Sequence, residues 1–426
     1  MLRKAAILIS IFCAAGSLAA QNFNISANLR RHVEYLASDR LQGRAAGSEG
    51  ERMAASYIYG NLRDASLEML TGPEGQDFGI AGSTDSISSA NILGVVEGYD
   101  PALRNEYIVV GAHMDNVGTN VMTVNGRSVT LVYPGADDNA SGVAALIELA
   151  RLASTHSILF RRSVVFVAFG AGECGNAGAR YFVNRAFGDI GSVRAMVNLD
   201  MLGHGTDKVP MRVYSSLSRA NLLRLMDRTA ECPVVVPPVA SDGTFPQSDY
   251  LPFYEKGIPV FHFTTGAKRG SHSTKDTPDL LNYKGIERNC NYLFYFIKTL
   301  AEQQSIDDCR PEVNADSSPV YSLSDLDKRP KFFNSDEKHF LEAWVYKYVK
   351  YPASAIRDGV QGKVNVSFII EKDGKLSNVE VVKGVDERLD DEAVKVISIS
   401  PKWTPGQIKG KPVRTRITVP VEFRLK

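Results

Sequence analysis

Residues 107–118 read YIVVGAHMDNVG, and residues 134–153 read PGADDNASGVAALIELARLA. The first is a short apolar run that stops on a histidine and an acid. The second is a Gly- and Asp-rich turn that opens into a helix-length apolar stretch. Short continuous apolar runs bounded by turn residues read as strands buried on both faces. Working outward, Val164–Phe169, Met196–Leu199 and Pro259–Phe263 repeat the pattern of Tyr107–Ala112, and Ser141–Ala153 and Ile286–Glu302 carry helical spacing. Alternation of strand and helix over about residues 25–303 predicts an α/β domain on a mostly parallel sheet.

The chain of 426 residues is 44% hydrophobic and 23% charged, the balance of a folded globular protein. At about 150 residues per domain, that length predicts two or three domains. The formal net charge of +1 argues against a dedicated nucleic-acid binder, which needs a basic surface to displace counterions. Residues 1–20, MLRKAAILISIFCAAGSLAA, set two positive charges before an apolar run and small residues. That is the layout of a secretory signal peptide, with cleavage expected near Ala19 or Ala20 and a periplasmic or secreted product. The run is shorter than the roughly 20 apolar residues of a membrane span, and no later stretch is long enough for one. Export permits oxidation of Cys174, Cys232, Cys290 and Cys309, with Cys290–Cys309 the expected pair. No CxxC spacing points to a cysteine metal site.

Residues 304–330 turn rich in Ser, Asp and Pro and read as a linker to a second unit over residues 331–426. That unit carries 18 Lys and Arg against 13 Asp and Glu, whereas the rest of the chain has 31 against 35. Val364, Val366, Phe368 and Ile370 alternate with mostly polar neighbours, as do Ile417, Val419, Val421, Phe423 and Leu425. Both are half-buried strand patterns. Asp373-Gly374 reads as a hairpin turn, and Leu389–Ser398 as a helix before the last strand.

In the larger unit, acids and histidines gather where strands end: His113 and Asp115, Asp137 and Asp138, Glu173, Asp200 and His272. Ligands of open parallel sheets bind at the carboxyl ends of strands, so these side chains can converge. Neutral imidazole with carboxylate suits zinc, and one bridging carboxylate would let five residues hold two ions. A single Asp at a strand end is usually a turn or cap residue, and Asp138 or Asn139 would serve as a helix cap. Acids and histidines gathered in five such places along the chain are a different matter. No GxSxG elbow is present to support a serine hydrolase.

The segments LASDRLQGRAAGSEGERMAASYI (36–58), SANILGVVEG (89–98), GAHMDNVG (111–118), GADDNASGVAALIELA (135–150), FGAGECGNAGARYF (169–182), NLDMLG (198–203), SDYLPF (248–253) and HSTKDTPD (272–279) follow one another in a familiar order. Over about residues 30–300 the chain resembles metallopeptidase family 28, the di-zinc aminopeptidases related to aminopeptidase Y and to glutaminyl cyclases. The resemblance implies a three-layer α/β/α domain with a mixed, mainly parallel sheet and hydrolysis at peptide N-termini. It implies that His113 and Asp200 hold one zinc, Glu173 and His272 the other, and that Asp137 bridges them. Asp115 would orient His113. The Asp137–Asp138 bond would be the site of a cis peptide. Tyr250, where the family often has His, would lie on the substrate side.

One departure stands out. The family usually has Ala-Glu-Glu where this chain has Ala171-Gly172-Glu173. The retained Glu is the expected ligand; the missing one takes a proton from the attacking water. General acid–base catalysis contributes about 100- to 10,000-fold. Gly172 therefore predicts impaired turnover, with a zinc-binding scaffold without peptidase activity as the alternative.

The small unit resembles the TonB C-terminal domain through YPASAIRDGVQGKVNVSFIIEKDGKLSNVEVVKG (351–384), LDDEAVKVI (389–397) and PKWTPGQIKGKPVRTRITVPVEF (401–423). The resemblance implies a small α+β module for a periplasmic protein partner or for dimerisation.

Overall fold

A computed structural model describes residues 24–80, 87–124, 127–206, 208–229, 237–241, 246–266, 272–303, 306, 319–333 and 335–425. The expected signal peptide, Cys232 and Cys309 lie outside these residues, and with Cys309 the expected Cys290 pair. Cys290 itself is buried in the core.

The strands are β1 (Glu68–Met69), β2 (Gln76–Ile80), β3 (Ile87–Val96), β4 (Tyr107–His113), β5 (Thr119–Val124), β6 (Arg127–Val132), β7 (Ser163–Phe169), β8 (Val193–Leu199), β9 (Arg212–Ser215), β10 (Val239–Ala240), β11 (Val260–Thr264), β12 (Val320–Tyr321), β13 (Val360–Ile370), β14 (Leu376–Lys383), β15 (Gly406–Ile408) and β16 (Lys411–Phe423). The large sheet runs β1-β3-β7-β4-β8-β11-β9-β10, with β2 on β3. Its centre, β7-β4-β8-β11, is parallel. Antiparallel β3 and β9 make it mixed.

Successive side chains of a strand point to opposite faces. On β7, Val164, Phe166 and Ala168 join one core, and Val165, Val167 and Phe169 the other. Helices Ile25–Leu36, Glu49–Asp64, Gly142–Thr155 and Tyr283–Glu302 cover the first face. The expected three-layer α/β/α domain is present. Asn24, Ser48 and Asn282 start three of these helices by accepting a backbone amide of the first turn. Among the described residues, no helix is long and apolar enough to cross a membrane.

The small unit has its own core around Phe332, Phe340, Phe368 and Trp403. Leu389, Ala393, Val396 and Ile397 give helix Glu387–Ser398 one apolar face for it. Its sheet runs β12-β16-β13-β5-β6, with β14 on β13 and β15 on β16. Part of the segment read as a linker is therefore structural: β12 pairs with β16 at Arg414 and Thr415. The hairpin β5–β6 belongs to this sheet although it lies between β4 and the Asp137-Asp138 turn in sequence. It joins β13 antiparallel through Val124–Val360, Thr123–Gln361 and Met122–Gly362.

Candidate metal centre and active site

Four parallel strands deliver the donors. His113 ends β4, Asp200 follows β8 directly, Glu173 sits in the turn after β7, and His272 lies in the loop after β11. Residues 136–141 form the turn that carries the remaining acids into helix Gly142–Thr155.

Asp138 stands at the centre. Its Oδ1 is 3.5 Å from His113 Nε2, and its Oδ2 is 3.0 Å from His272 Nε2. His113 Nε2 also lies 3.8 Å from Asp200 Oδ1, and His272 Nε2 lies 3.1 Å from Glu173 Oε1. Two donor groups result, His113–Asp138–Asp200 and Asp138–Glu173–His272, sharing one carboxylate. The side chains of His272 and Glu173 keep 22% and 17% exposure, so the open side of the cluster lies with them.

The resemblance gave the bridging place to Asp137; in the structure the carboxylate that lies between the two histidines is instead that of Asp138. Asp137 Oδ1 accepts from the Gly203 amide at 2.7 Å and from the Ser141 hydroxyl at 3.0 Å. Its Oδ2 faces His204 Nε2 at 3.5 Å. That carboxylate is engaged in holding the turn, and burial pushes its pKa up to about 8. The cis peptide is likewise displaced, to Asp138–Asn139. Asn139 anchors the bond by donating to Leu199 O and accepting from the amides of Gly142 and Met201. Asp276, which sequence reasoning passed over in HSTKDTPD, clamps the turn by accepting the Asp137 amide at 2.8 Å and the Asp138 amide at 3.0 Å.

Asp115 is fully buried. Its carboxylate accepts the amides of Gly172 at 2.6 Å and Glu173 at 3.1 Å, so it holds the turn that presents Glu173. Its carbonyl oxygen, 3.2 Å from His113 Nδ1, accepts from that imidazole and leaves Nε2 facing the cluster. Gly172 itself is packed: a Cβ there would lie 2.4 Å from His113 Cβ. Tyr250 is not on the open side. Its ring is buried in the core with Phe169, Phe182 and Phe253, 5.4 Å from the His262 ring. His262 is a core residue that accepts from Asn198 Nδ2 at 2.9 Å, and burial drops its pKa to about 4.

The electrostatics call for cations. Burial opposes protonation of His113 and His272, yet the surrounding carboxylates pull both pKa values well above the usual imidazole range. Asp200 and Glu173 are held low by the histidines in spite of burial. Asp200 Oδ1 and both oxygens of Asp249 are buried without a hydrogen-bond partner. An orphaned carboxylate oxygen facing an imidazole nitrogen is a place for an ion, and the donor set of two imidazoles and three carboxylates fits a zinc pair sharing Asp138.

Strand-end donors on a three-layer α/β/α sheet are an arrangement that a metal-dependent hydrolase can use. The comparisons agree. Residues 91–297 match the model of Peptidase family M28, and residues 347–425 that of the Gram-negative bacterial TonB protein C-terminal. Leupeptin-inactivating enzyme 1 of Streptomyces exfoliatus is 25% identical over 328 residues, 70% of this chain and 68% of that one. Aminopeptidase YwaD of Bacillus subtilis is 28% identical over 182 residues, 42% of this chain and only 36% of that protein's length. In fold, the chain is similar to BSAP, a zinc aminopeptidase from Bacillus subtilis, with a TM-score of 0.52 at 16% identity over 64% of this chain and 94% of that one.

Proposed function

We propose that this protein is an exported zinc-dependent exopeptidase that removes residues from peptide N-termini, with turnover reduced by Gly172. The observation that carries the reading is Asp138, whose two oxygens face two different histidines, each with a further carboxylate beside it. His113, Asp138 and Asp200 would hold one ion, and Asp138, Glu173 and His272 the other. Bound there, zinc supplies Lewis acidity: it lowers the pKa of water and polarises a peptide carbonyl. The chain supplies rigidity. Asp115 pins the Glu173 turn, Asp276 pins the Asp138 turn, and the Asp115 carbonyl keeps His113 Nε2 aimed inward. At Gly172 no side chain can accept the proton released by the attacking water. Export rests on the layout of residues 1–20.

The packing at Gly172 favours one alternative, a zinc-binding scaffold without peptidase activity. Hydrolysis of aminoacyl-p-nitroanilides by the mature chain, with and without chelator and alongside zinc analysis, separates the two. Slow, chelator-sensitive release supports the enzyme; two bound zinc ions with no release supports the scaffold. A purified protein that takes up no zinc would defeat both.

A further inference from the structure

The small unit does not hang from the large one; it touches the metal centre. His272 Nδ1 lies 3.4 Å from the carbonyl oxygen of Val381, on β14. A ring nitrogen that donates to a carbonyl fixes the tautomer and leaves the other nitrogen's lone pair for a ligand. Here the other nitrogen is Nε2, the one facing Asp138 and Glu173.

Three residues along, Gly384 is bracketed. Its carbonyl accepts from Asn120 Nδ2 at 2.8 Å and from the Tyr133 hydroxyl. A Cβ at Gly384 would lie 2.2 Å from Asp390 Oδ2, and Asp390 Oδ1 takes the next amide, of Val385, at 2.9 Å. The segment 381–385 is thus held from both sides. Asn120 lies in β5 and Tyr133 directly follows β6, and the base of this hairpin is closed by the Tyr133 amide donating to Gly118 O at 3.0 Å. His113 and Asp115 run into that base, and the Asp138 turn leaves it. The same hairpin is bonded to β13, and Met122 packs on the small unit's core.

We propose that the C-terminal unit is a built-in wall of the metal centre: Val381 is a positioning residue for His272, and the Gly384 bracket sets the hairpin base between His113 and Asp138. The metal part of this inference rests on the function proposed above; the positioning part does not.

The test uses the full mature chain and the double variant Asn120→Ala/Tyr133→Phe, neither residue being a metal donor. Trp344→Phe, which loses the bond from Nε1 to Val396 O inside the small unit, controls for general loosening of that unit. In metal-free protein, the double variant is expected to raise hydrogen exchange at residues 113–118 and 133–142 at least tenfold, with the control unchanged. With metal, zinc affinity should fall about 10- to 100-fold, and the visible spectrum of the cobalt-substituted protein should shift in the double variant alone. Equal exchange in wild type and double variant, or the same exchange and affinity losses in the control, overturns the inference. If the double variant does not fold, Asn120→Ala alone carries the same expectations in weaker form. Accelerated exchange in a protein that binds no metal would sustain the positioning role and defeat the zinc reading instead.

Discussion

A Cβ built on Gly172 would stand 2.4 Å from the Cβ of His113, with His113 Cγ at 2.7 Å. The place of the missing acid is taken up by a proposed ligand, so adding a side chain there moves that ligand. Gly172→Glu is therefore expected to lower zinc occupancy rather than restore peptidase activity, and Gly172→Ala to do so in milder form. Zinc content and p-nitroanilide release measured on both variants check this. A faster Gly172→Glu enzyme with full zinc would show that His113 yields without cost.

The neighbouring acids of the 136–141 turn should behave differently. Asp138→Asn withdraws charge from both donor groups and is expected to leave less than one zinc per chain. Asp137→Asn keeps an oxygen for Gly203 and Ser141 and should retain both ions, at some cost in stability. Metal analysis after exhaustive dialysis distinguishes them, and equal loss in both would return the bridging role to dispute.

Arg44 is buried and donates to four carbonyls: Met114, Leu36, Pro134 and Gly135. It ties the opening helix to the segments on both sides of the β5–β6 hairpin. Burial lowers its pKa to about 10, which still leaves it charged at neutral pH. Arg44→Ala orphans those carbonyls and is expected to cost on the order of 4 kcal/mol. The midpoint of chemical denaturation measures the loss.

Asp390 gives a pH dependence. Burial raises its pKa from 3.8 to about 6, against the pull of two backbone amides. A carboxyl raised in the folded state ionises more readily in the unfolded chain. The penalty is absent below about pH 4, grows as pH rises toward 6, and is complete above it, on the order of 3 kcal/mol. Asp390→Asn still accepts the Val385 amide and should stabilise the protein at pH 8 but not at pH 4. Thermal melting at the two pH values tests it; a gain at pH 4 as large as at pH 8 would rule out ionisation as the cause.

The α/β order was legible because strands buried on both faces read as unbroken apolar runs, and β4, β7, β8 and β11 match such runs within a few residues. That His113, Glu173, Asp200 and His272 come together was legible because each stands at a strand end or in the segment that follows one. The choice between Asp137 and Asp138 was not. Adjacent acids in one turn are equivalent in sequence, and the selection is made by Asp276 and Asn139 through the local backbone path. Tyr250 was misplaced for a related reason: position in a motif does not say which way a ring points. The β5–β6 hairpin carried a signal that went unread, Asn125-Gly126 between the alternating runs TNVMTV and RSVTLV. Its partner strand is more than two hundred residues away, and no local pattern announces that.

The shared sheet also governs how this polypeptide can be cut. Severing the chain in the 304–330 segment and discarding the C-terminal unit would strip β13 from β5 and leave a two-stranded ribbon projecting beside the catalytic face with a naked hydrogen-bonding edge. Such edges recruit other strands, and an isolated hairpin is marginal in water. A proteolytic fragment ending there would be prone to self-association, whereas the intact molecule satisfies that edge with its own C-terminal unit.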